Sequence, residues 1–223
     1  MKHILKIFVP ILIPIFLLMT SIRIFFNPFS LDIEYHAKTF PVDPYGFTVE
    51  DRMRWGTISL EYITSNAPLF TLADLQFPDG TPLYNERELS HMEDVQIVYQ
   101  RMVIAWTIIS IILLGLLGAA WIGKWLSDYG HILCRGGMVT IILIFTILMF
   151  VIISFDKLFS SFHSLFFESG SWLFYYSDTL IRLFPVRLWQ DFFIFTGVLT
   201  AIMGIIFWFG GGLLSRKAVS INQ

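Results

Sequence analysis

The sequence predicts an all-α integral membrane protein with four transmembrane helices. Three observations support this fold class: the composition, four long apolar segments and the distribution of charge. Of the 223 residues, 56% are hydrophobic and 14% are charged, and the mean hydropathy is +0.69. A soluble domain of this length has too small an interior to bury so much apolar surface. The net charge of -2 gives no reason to expect a nucleic-acid partner, and one cysteine excludes a disulfide framework or a cysteine-based metal cluster.

Four apolar segments are each long enough to cross a bilayer as a helix, which takes roughly 20 residues. They cover about residues 4–26, 102–122, 138–155 and 192–214. The first follows lysines, as a signal peptide does, but its apolar stretch is too long and no small-residue cleavage site comes after it. We therefore expect a retained membrane helix there.

The basic residues predict that both termini and the loop 123–137 face the cytoplasm. These parts contain a single acid, Asp128. Their basic residues are Lys2, Lys6, Lys124, Arg135, Arg216 and Lys217. The other nine basic residues accompany sixteen acids on the opposite side, as the positive-inside rule requires. A multi-pass protein of the cell membrane is expected, with extracytoplasmic segments at 27–101 and 156–191.

The first extracytoplasmic segment should form a small, mostly helical domain. Thr48 is followed by two acids, a pattern typical of a helix start. Asn85 can cap a second helix whose third residue is Glu88. Because nothing interrupts that helix before the second membrane segment, His91 should stand on a rigid helix two to three turns above the bilayer core.

The second extracytoplasmic segment contains ten aromatic residues. Such a density is typical of an interfacial or re-entrant element that packs on a helix bundle. His163 lies among phenylalanines at helical spacing. A short helix is expected to start at Asp178 and to end before Pro185.

Four strings in these segments carry a family resemblance. They are residues 88–95 (ELSHMEDV), 161–167 (SFHSLFF), 170–174 (GSWLF) and 177–185 (SDTLIRLFP). Together with the four-helix plan, they resemble the lipoprotein intramolecular transacylase (Lit) family over nearly the whole chain. The two histidine strings are the specific part, since four apolar helices alone match many families.

The resemblance implies a definite reaction on a bacterial lipoprotein in the membrane lipid. The substrate would be a lipoprotein whose N-terminal cysteine carries an S-linked diacylglyceryl group and a free α-amine. The sn-2 acyl chain would move from the glycerol ester to that amine, which gives the lyso-form lipoprotein. The active site would lie at the extracytoplasmic face, with His91 and His163 as the catalytic residues.

The two histidines also suit this reaction on chemical grounds. An α-amine titrates near 8 and must lose a proton to attack an ester, while the glycerol oxygen must gain one to leave. Histidine, with a pKa near 6.5, can do either at neutral pH. Because the substrate carries both nucleophile and acyl donor, no acyl-enzyme, cofactor or metal is expected. If one reacting centre uses both rings, they cannot lie more than about 12 Å apart.

Further residues are predicted to support the histidines. The candidates are Asp79, Glu88, Asp94, Trp172, Asp178 and Arg182. The first three can orient a histidine, but such residues more often cap a helix or face solvent. Trp172, Arg182 or the backbone amides near Ser169 and Gly170 can donate hydrogen bonds to an oxyanion. Asp178 and Arg182 are four residues apart, so we expect them to form an ion pair, more often structural than catalytic.

Two other classes of function remain open from the residues alone. One is a metal-dependent membrane hydrolase with His91, His163 and an acid such as Asp94 as ligands, although no local H-x-x-x-H spacing favours it. The other is a non-catalytic assembly or sensor protein whose outer segments bind another membrane protein. Activity that chelators do not affect argues against the first class. Loss of function when both histidines are replaced argues against the second.

Overall fold

The computed structural model describes the backbone of residues 2–221 and the side chains of residues 5–217, so the side chain of Lys2 lies outside the described part. Within residues 2–221 the chain forms eight helices and no strand. In chain order the helices are α1 Lys2–Phe25, α2 Pro28–Tyr35, α3 Val49–Thr64, α4 Phe70–Ala73, α5 Glu86–Ile122, α6 Leu126–Phe166, α7 Thr179–Leu183 and α8 Val186–Ile221. The all-α fold class is confirmed for this range.

Four of these helices are long and apolar enough to cross a membrane. They are α1, α5, α6 and α8, and each contains an 18-residue stretch whose mean hydropathy lies between 2.3 and 2.9. The four predicted apolar segments fall within these helices, except that Phe26 lies one residue beyond α1. The chain is therefore a multi-pass membrane protein.

Helix α6 is longer than the sequence predicts. Residues 126–137, expected to be part of a loop, are helical. Beyond residue 155, where the spacing of the phenylalanines predicts a separate interfacial helix, the chain is helical to Phe166 and continues α6. The pairs Tyr129-Gly130 and Gly136-Gly137 suggest turns in the sequence. Gly130 serves close packing instead: a Cβ atom on it would lie 2.7 Å from the carbonyl oxygen of Gly211 in α8. Such approach between helix backbones needs residues without side chains. Ser154, with φ -157 and ψ 65, interrupts the helical geometry of α6.

The chain divides into two compact units. The first contains Met1–Arg23, Met102–Ile153 and Ile194–Gln223. Its apolar core includes Val9, Ile13, Leu17, Ile109, Leu113 and Ile132. Its buried hydroxyls are paired: those of Ser21 and Thr200 lie 2.8 Å apart.

The second unit contains Ile24–Arg101 and Ser154–Phe193. The predicted start of α3 is confirmed, because Thr48 and Asp51 form a reciprocal cap. The hydroxyl of Tyr35 in α2 donates to the carbonyl oxygen of Leu183 at 2.9 Å. Such bonds fix the short helix α7 within the core of this unit.

Two arginines extend the same anchoring of α7. The side chain of Arg52 in α3 donates to the carbonyl oxygen of Arg182 at 3.0 Å. The guanidinium of Arg182 donates in turn to Asp43, also at 3.0 Å, and both side chains are largely shielded from solvent. Charged groups this buried are stable only when they are paired, so α7 is held from several directions.

Candidate active site

His91 lies one turn after a capped helix start. The Asn85 side chain accepts a hydrogen bond from the Glu88 amide at 3.0 Å, and Glu88 accepts one from the Asn85 amide at 2.8 Å. The predicted reciprocal cap is therefore present. From Glu86 the helix continues without a break to Ile122, as predicted, so His91 is fixed by a rigid element.

Glu88 also ties this helix to a distant part of the chain. Its second carboxylate oxygen accepts a hydrogen bond from the Leu180 amide in α7 at 2.7 Å. The side chain is only 2% exposed, so both of its oxygens bind in a dry environment. The carboxylate joins the first turns of α5 and α7 and lies one helical turn from His91.

His163 is positioned by its own helix. It lies in the part of α6 beyond Ser154, and its Nδ1 is 2.8 Å from the carbonyl oxygen of Phe159. A carbonyl oxygen only accepts, so Nδ1 must carry the hydrogen. In the neutral ring Nε2 then has a free lone pair and is available as a base.

The structure brings the two histidine rings together. Their centroids lie 6.1 Å apart and the ring planes differ by 22°. Both residues are buried, with 7% and 8% of their surface exposed. The prediction that folding brings His91 and His163 together, although they are 72 residues apart in the sequence, is confirmed.

Aromatic rings surround this pair of histidines, and we call the whole group the aromatic site. The His91 ring lies 4.9 Å from that of Phe167 and 5.4 Å from that of Phe174. The His163 ring lies 4.1 Å from Phe159 and 4.9 Å from Trp172. The aromatic site is therefore a mostly apolar environment with few protein groups that can solvate a charge.

Burial in this environment favours neutral imidazoles. Both histidines lie outside the apolar stretches predicted to span the membrane, 102–122 and 138–155. Burial, and after it the adjacent His163, lowers the pKa of His91 to about 4. Burial also lowers the pKa of His163, although the bond to the Phe159 carbonyl opposes this. At neutral pH both rings are uncharged, and protonation of one disfavours protonation of the other.

Two buried nitrogens of the aromatic site have no partner within the described residues. They are Nδ1 of His91 and Nε1 of Trp172. A buried polar group without a hydrogen bond costs about 1–3 kcal/mol. Unpaired groups of this kind are uncommon, and two of them within one site indicate that the site is built to receive another molecule.

The other predicted site residues lie elsewhere or serve the scaffold. Asp79 accepts hydrogen bonds from the amide and hydroxyl of Thr81 in an exposed turn. Asp94 is half-buried on α5. In the described part of the chain neither of them, nor Glu88, is hydrogen-bonded to a histidine. No bond thus supports a histidine-orienting role for these three acids.

The predicted pair of Asp178 and Arg182 is wrong. Asp178 binds Arg87 at 3.2 Å, whereas Arg182 binds Asp43 at 3.0 Å. The helical i, i+4 relation does not apply because Asp178 is the N-cap of α7 and has an extended backbone, with φ -67 and ψ 141. The sequence indicates no role for Arg87 or Asp43, and no local pattern links them to their partners.

The same geometry bears on whether the described residues could bind a metal ion. Among residues 5–217, no three histidine, cysteine, aspartate or glutamate side chains lie close enough to hold one ion. The aromatic site contains a pair of neutral imidazoles beside aromatic rings. Fold and site together define a membrane-integral protein whose histidine pair is suited to acid–base catalysis.

Comparison with known proteins defines the family. The family model for the lipoprotein intramolecular transacylase Lit matches residues 7–208, and the chain belongs to this family. An uncharacterized protein of Aquifex aeolicus (strain VF5) is 29% identical over 218 residues, or 97% of both chains. Family membership supports a lipoprotein-modifying transacylase that works in the membrane.

Solved structures share the fold. The membrane-integral lipoprotein intramolecular transacylase Lit from Bacillus cereus superimposes with a TM-score of 0.74 at 17% identity, covering 97% of both chains. A histidine-to-arginine variant of the Bacillus cereus protein gives a TM-score of 0.71 at 18% identity, covering 100% of this chain and 95% of the other. At such low identity the likeness concerns the fold alone.

Proposed function

We propose that this protein transfers the sn-2 acyl chain of an S-diacylglyceryl cysteine to the α-amine of the same cysteine, which yields a lyso-form lipoprotein. The observation that carries the proposal is the stacked pair of buried histidines, 6.1 Å apart in an aromatic environment. A lipid-bearing substrate suits such surroundings, because acyl chains bind apolar walls. Membership of the transacylase family supports the same substrate class.

The proton transfers of this reaction suit the two rings. In our proposal Nε2 of His163 removes a proton from the attacking amine, since Nδ1 already donates to the Phe159 carbonyl. The proton then returns to the glycerol oxygen as the ester bond breaks, directly or through His91. Because protonation of one ring disfavours that of the other, the pair carries no more than one positive charge at a time. The amine and the ester come from one substrate, so no acyl group need be attached to the protein.

The proposal places the aromatic site at the extracytoplasmic face. The six basic residues assigned to the cytoplasmic parts, against one acid there, favour this orientation. Reagent access tests it. A cysteine introduced at Asn85 or Ser169 should react with a membrane-impermeant thiol reagent in intact cells, whereas native Cys134 should not. Labelling of Cys134 alone would indicate the opposite orientation.

The reaction itself is tested with a reporter lipoprotein that carries a diacylglyceryl cysteine. Substrate and product are isomers of equal mass, so tandem mass spectrometry must locate the acyl chain on nitrogen or on glycerol. Loss of reactivity toward an amine reagent gives a second readout. A reporter that keeps a free amine and both ester-linked chains in the presence of active-site-intact protein contradicts the proposal.

The same assay separates the two other classes of function. Addition of a chelator should leave the amount of product unchanged, because proton transfer by histidine needs no metal. Product formation by the purified protein alone, without another membrane protein, argues against a pure assembly role. Inhibition by chelators that added zinc reverses would favour the hydrolase class instead.

A further inference from the structure

Trp172 has a feature that packing does not explain. Its ring lies against His163, with centroids 4.9 Å apart, and meets Phe159 edge-on at 6.5 Å. Its indole nitrogen is buried and has no partner in the described part of the chain. A phenylalanine would fill an aromatic contact here without the cost of an unpaired N–H, so the nitrogen requires another explanation.

An acyl transfer needs a fixed hydrogen-bond donor near its base. When the amine attacks, negative charge develops on the carbonyl oxygen of the ester, and donors already aimed at that oxygen lower the barrier. An indole N–H is suited to this because it only donates and does not lose its proton at accessible pH. The neighbouring His163 must change its protonation during the reaction and cannot serve as a permanent donor.

The other side-chain donor proposed from the sequence is already bound elsewhere. Arg182 donates to the Asp43 carboxylate at 3.0 Å and to the Tyr45 carbonyl at 3.2 Å, and it lies over the Phe47 ring. Arg87 is likewise engaged by Asp178. The indole of Trp172 has no such commitment, and it lies beside the proposed base.

We propose that the indole N–H of Trp172 is a catalytic hydrogen-bond donor to the carbonyl oxygen of the acyl group in transit. This inference rests on the proposed transacylase function. As the amine nitrogen bonds to the carbonyl carbon, the π electrons move to oxygen, which accepts the Trp172 hydrogen bond. The carbonyl then re-forms, the bond to the glycerol oxygen breaks, and that oxygen takes up the proton that left the amine. Trp172 keeps its own proton throughout.

The experiment compares variants that separate the N–H from the ring. Trp172→Phe removes the donor and part of the ring. Benzothienylalanine, placed at position 172 by an amber codon, keeps the bicyclic shape but has sulfur in place of N–H. Trp189→Phe is the matched control: Trp189 also packs against Phe159, at 6.2 Å, but its ring nitrogen is not one of the two buried unpartnered atoms.

Turnover of a diacylglyceryl lipopeptide in detergent supplies kcat and KM for each variant. Loss of one oxyanion donor lowers kcat about 10²–10³-fold. We expect that loss in both position-172 variants with little change in KM, and near-wild-type kcat for Trp189→Phe. Wild-type kcat in the benzothienylalanine protein would falsify the donor role, since shape alone would then suffice.

The controls keep this test distinct from that of the proposed function. If the wild-type protein makes no N-acyl product, the transacylase proposal fails. If the wild type does, and the isosteric variant equals it, only the role of Trp172 fails. A loss of kcat confined to Trp172→Phe, with a lowered unfolding temperature, also contradicts the donor role and assigns the indole to packing.

Discussion

The two histidines of the aromatic site are held in different ways. The helix that carries His91 is tied to the rest of the second unit by buried hydrogen bonds, above all through the Glu88 carboxylate and the Leu180 amide. His163 depends on its own helix and on its neighbours, through the Phe159 carbonyl at 2.8 Å and the Trp172 ring at 4.9 Å.

The difference separates two properties that a catalytic pair needs. Polar anchoring across 92 residues of sequence sets where His91 stands relative to its partner. A local bond from Nδ1 sets which nitrogen of His163 is free to accept a proton. A change in the anchoring should therefore move His91 relative to His163. A change in the Nδ1 bond should alter the proton transfer by His163.

The largest expected effect comes from removing the rings themselves. We expect His163→Ala and His91→Ala each to lower the rate of N-acyl product formation about 10²–10⁴-fold, the usual contribution of a general acid–base group. The rate is measured with the reporter lipopeptide under limiting enzyme. His131→Ala is the control, because the Nδ1 atom of His131 makes the same contact with the carbonyl four residues earlier, at 2.8 Å from Ser127. Full activity in either site variant removes that histidine from the mechanism.

Acidification should weaken the fold through the same burial. The pKa of His91 falls from 6.5 unfolded to about 4 folded, so the fold favours the neutral ring. This contribution, about 3 kcal/mol, is complete above pH 6.5 and is lost as the pH falls to about 4. The unfolding temperature in detergent should therefore drop between pH 6.5 and 4, and less steeply in His91→Gln. Equal slopes for the two proteins would contradict the assignment.

Glu88→Gln tests the polar anchor of His91. An amide offers one acceptor oxygen in place of two, so either the Asn85 or the Leu180 amide loses its partner. We expect a stability loss of about 1–3 kcal/mol and a lower kcat from misplacement of His91. Thermal unfolding and product formation measure the two effects. Glu86→Gln, an exposed change in the same turn, should alter neither the stability nor kcat. If Glu88→Gln has the stability and kcat of the wild type, the hydrogen bonds of the Glu88 carboxylate are not needed to place His91.

Local signals in the sequence predicted the scaffold better than the contacts between segments. The cap formed by Asn85 and Glu88 spans three residues and follows from side-chain chemistry alone. The pairing of Asp43 with Arg182 joins residues 139 apart, and nothing in either neighbourhood points to the other. The meeting of the two histidines was expected from a family resemblance and a chemical requirement, not from their spacing.

The error in α6 has a different origin. Glycine is a reliable turn signal where a helix is exposed to water, because it leaves the backbone flexible. In the first unit the same residue lets two helices approach until a Cβ atom could not fit, as at Gly130. The extent of the helix around Gly130 thus depends on a partner helix that the local sequence does not reveal.

Arg87→Gln should give the smallest effect of the series. The Arg87 guanidinium contacts Asp178 at 3.2 Å and lies over the Phe174 and Tyr175 rings, at 5.6 and 5.4 Å from their centres. It therefore steadies the loop that places Phe174 against His91. The guanidinium is about half exposed (48%), and such pairs contribute about 0.2–1 kcal/mol.

We therefore expect Arg87→Gln to lower kcat by no more than about fivefold, the rate equivalent of 1 kcal/mol. Raising the salt concentration should lower the kcat of the wild type toward that of the variant, because salt screens the attraction between the charges of Arg87 and Asp178. Arg54→Gln, an exposed arginine stacked on Trp55 in α3, controls for loss of a surface cation. A hundredfold loss in Arg87→Gln would mean that Arg87 acts on the substrate, and that it contributes to the chemistry as well as to the position of the loop.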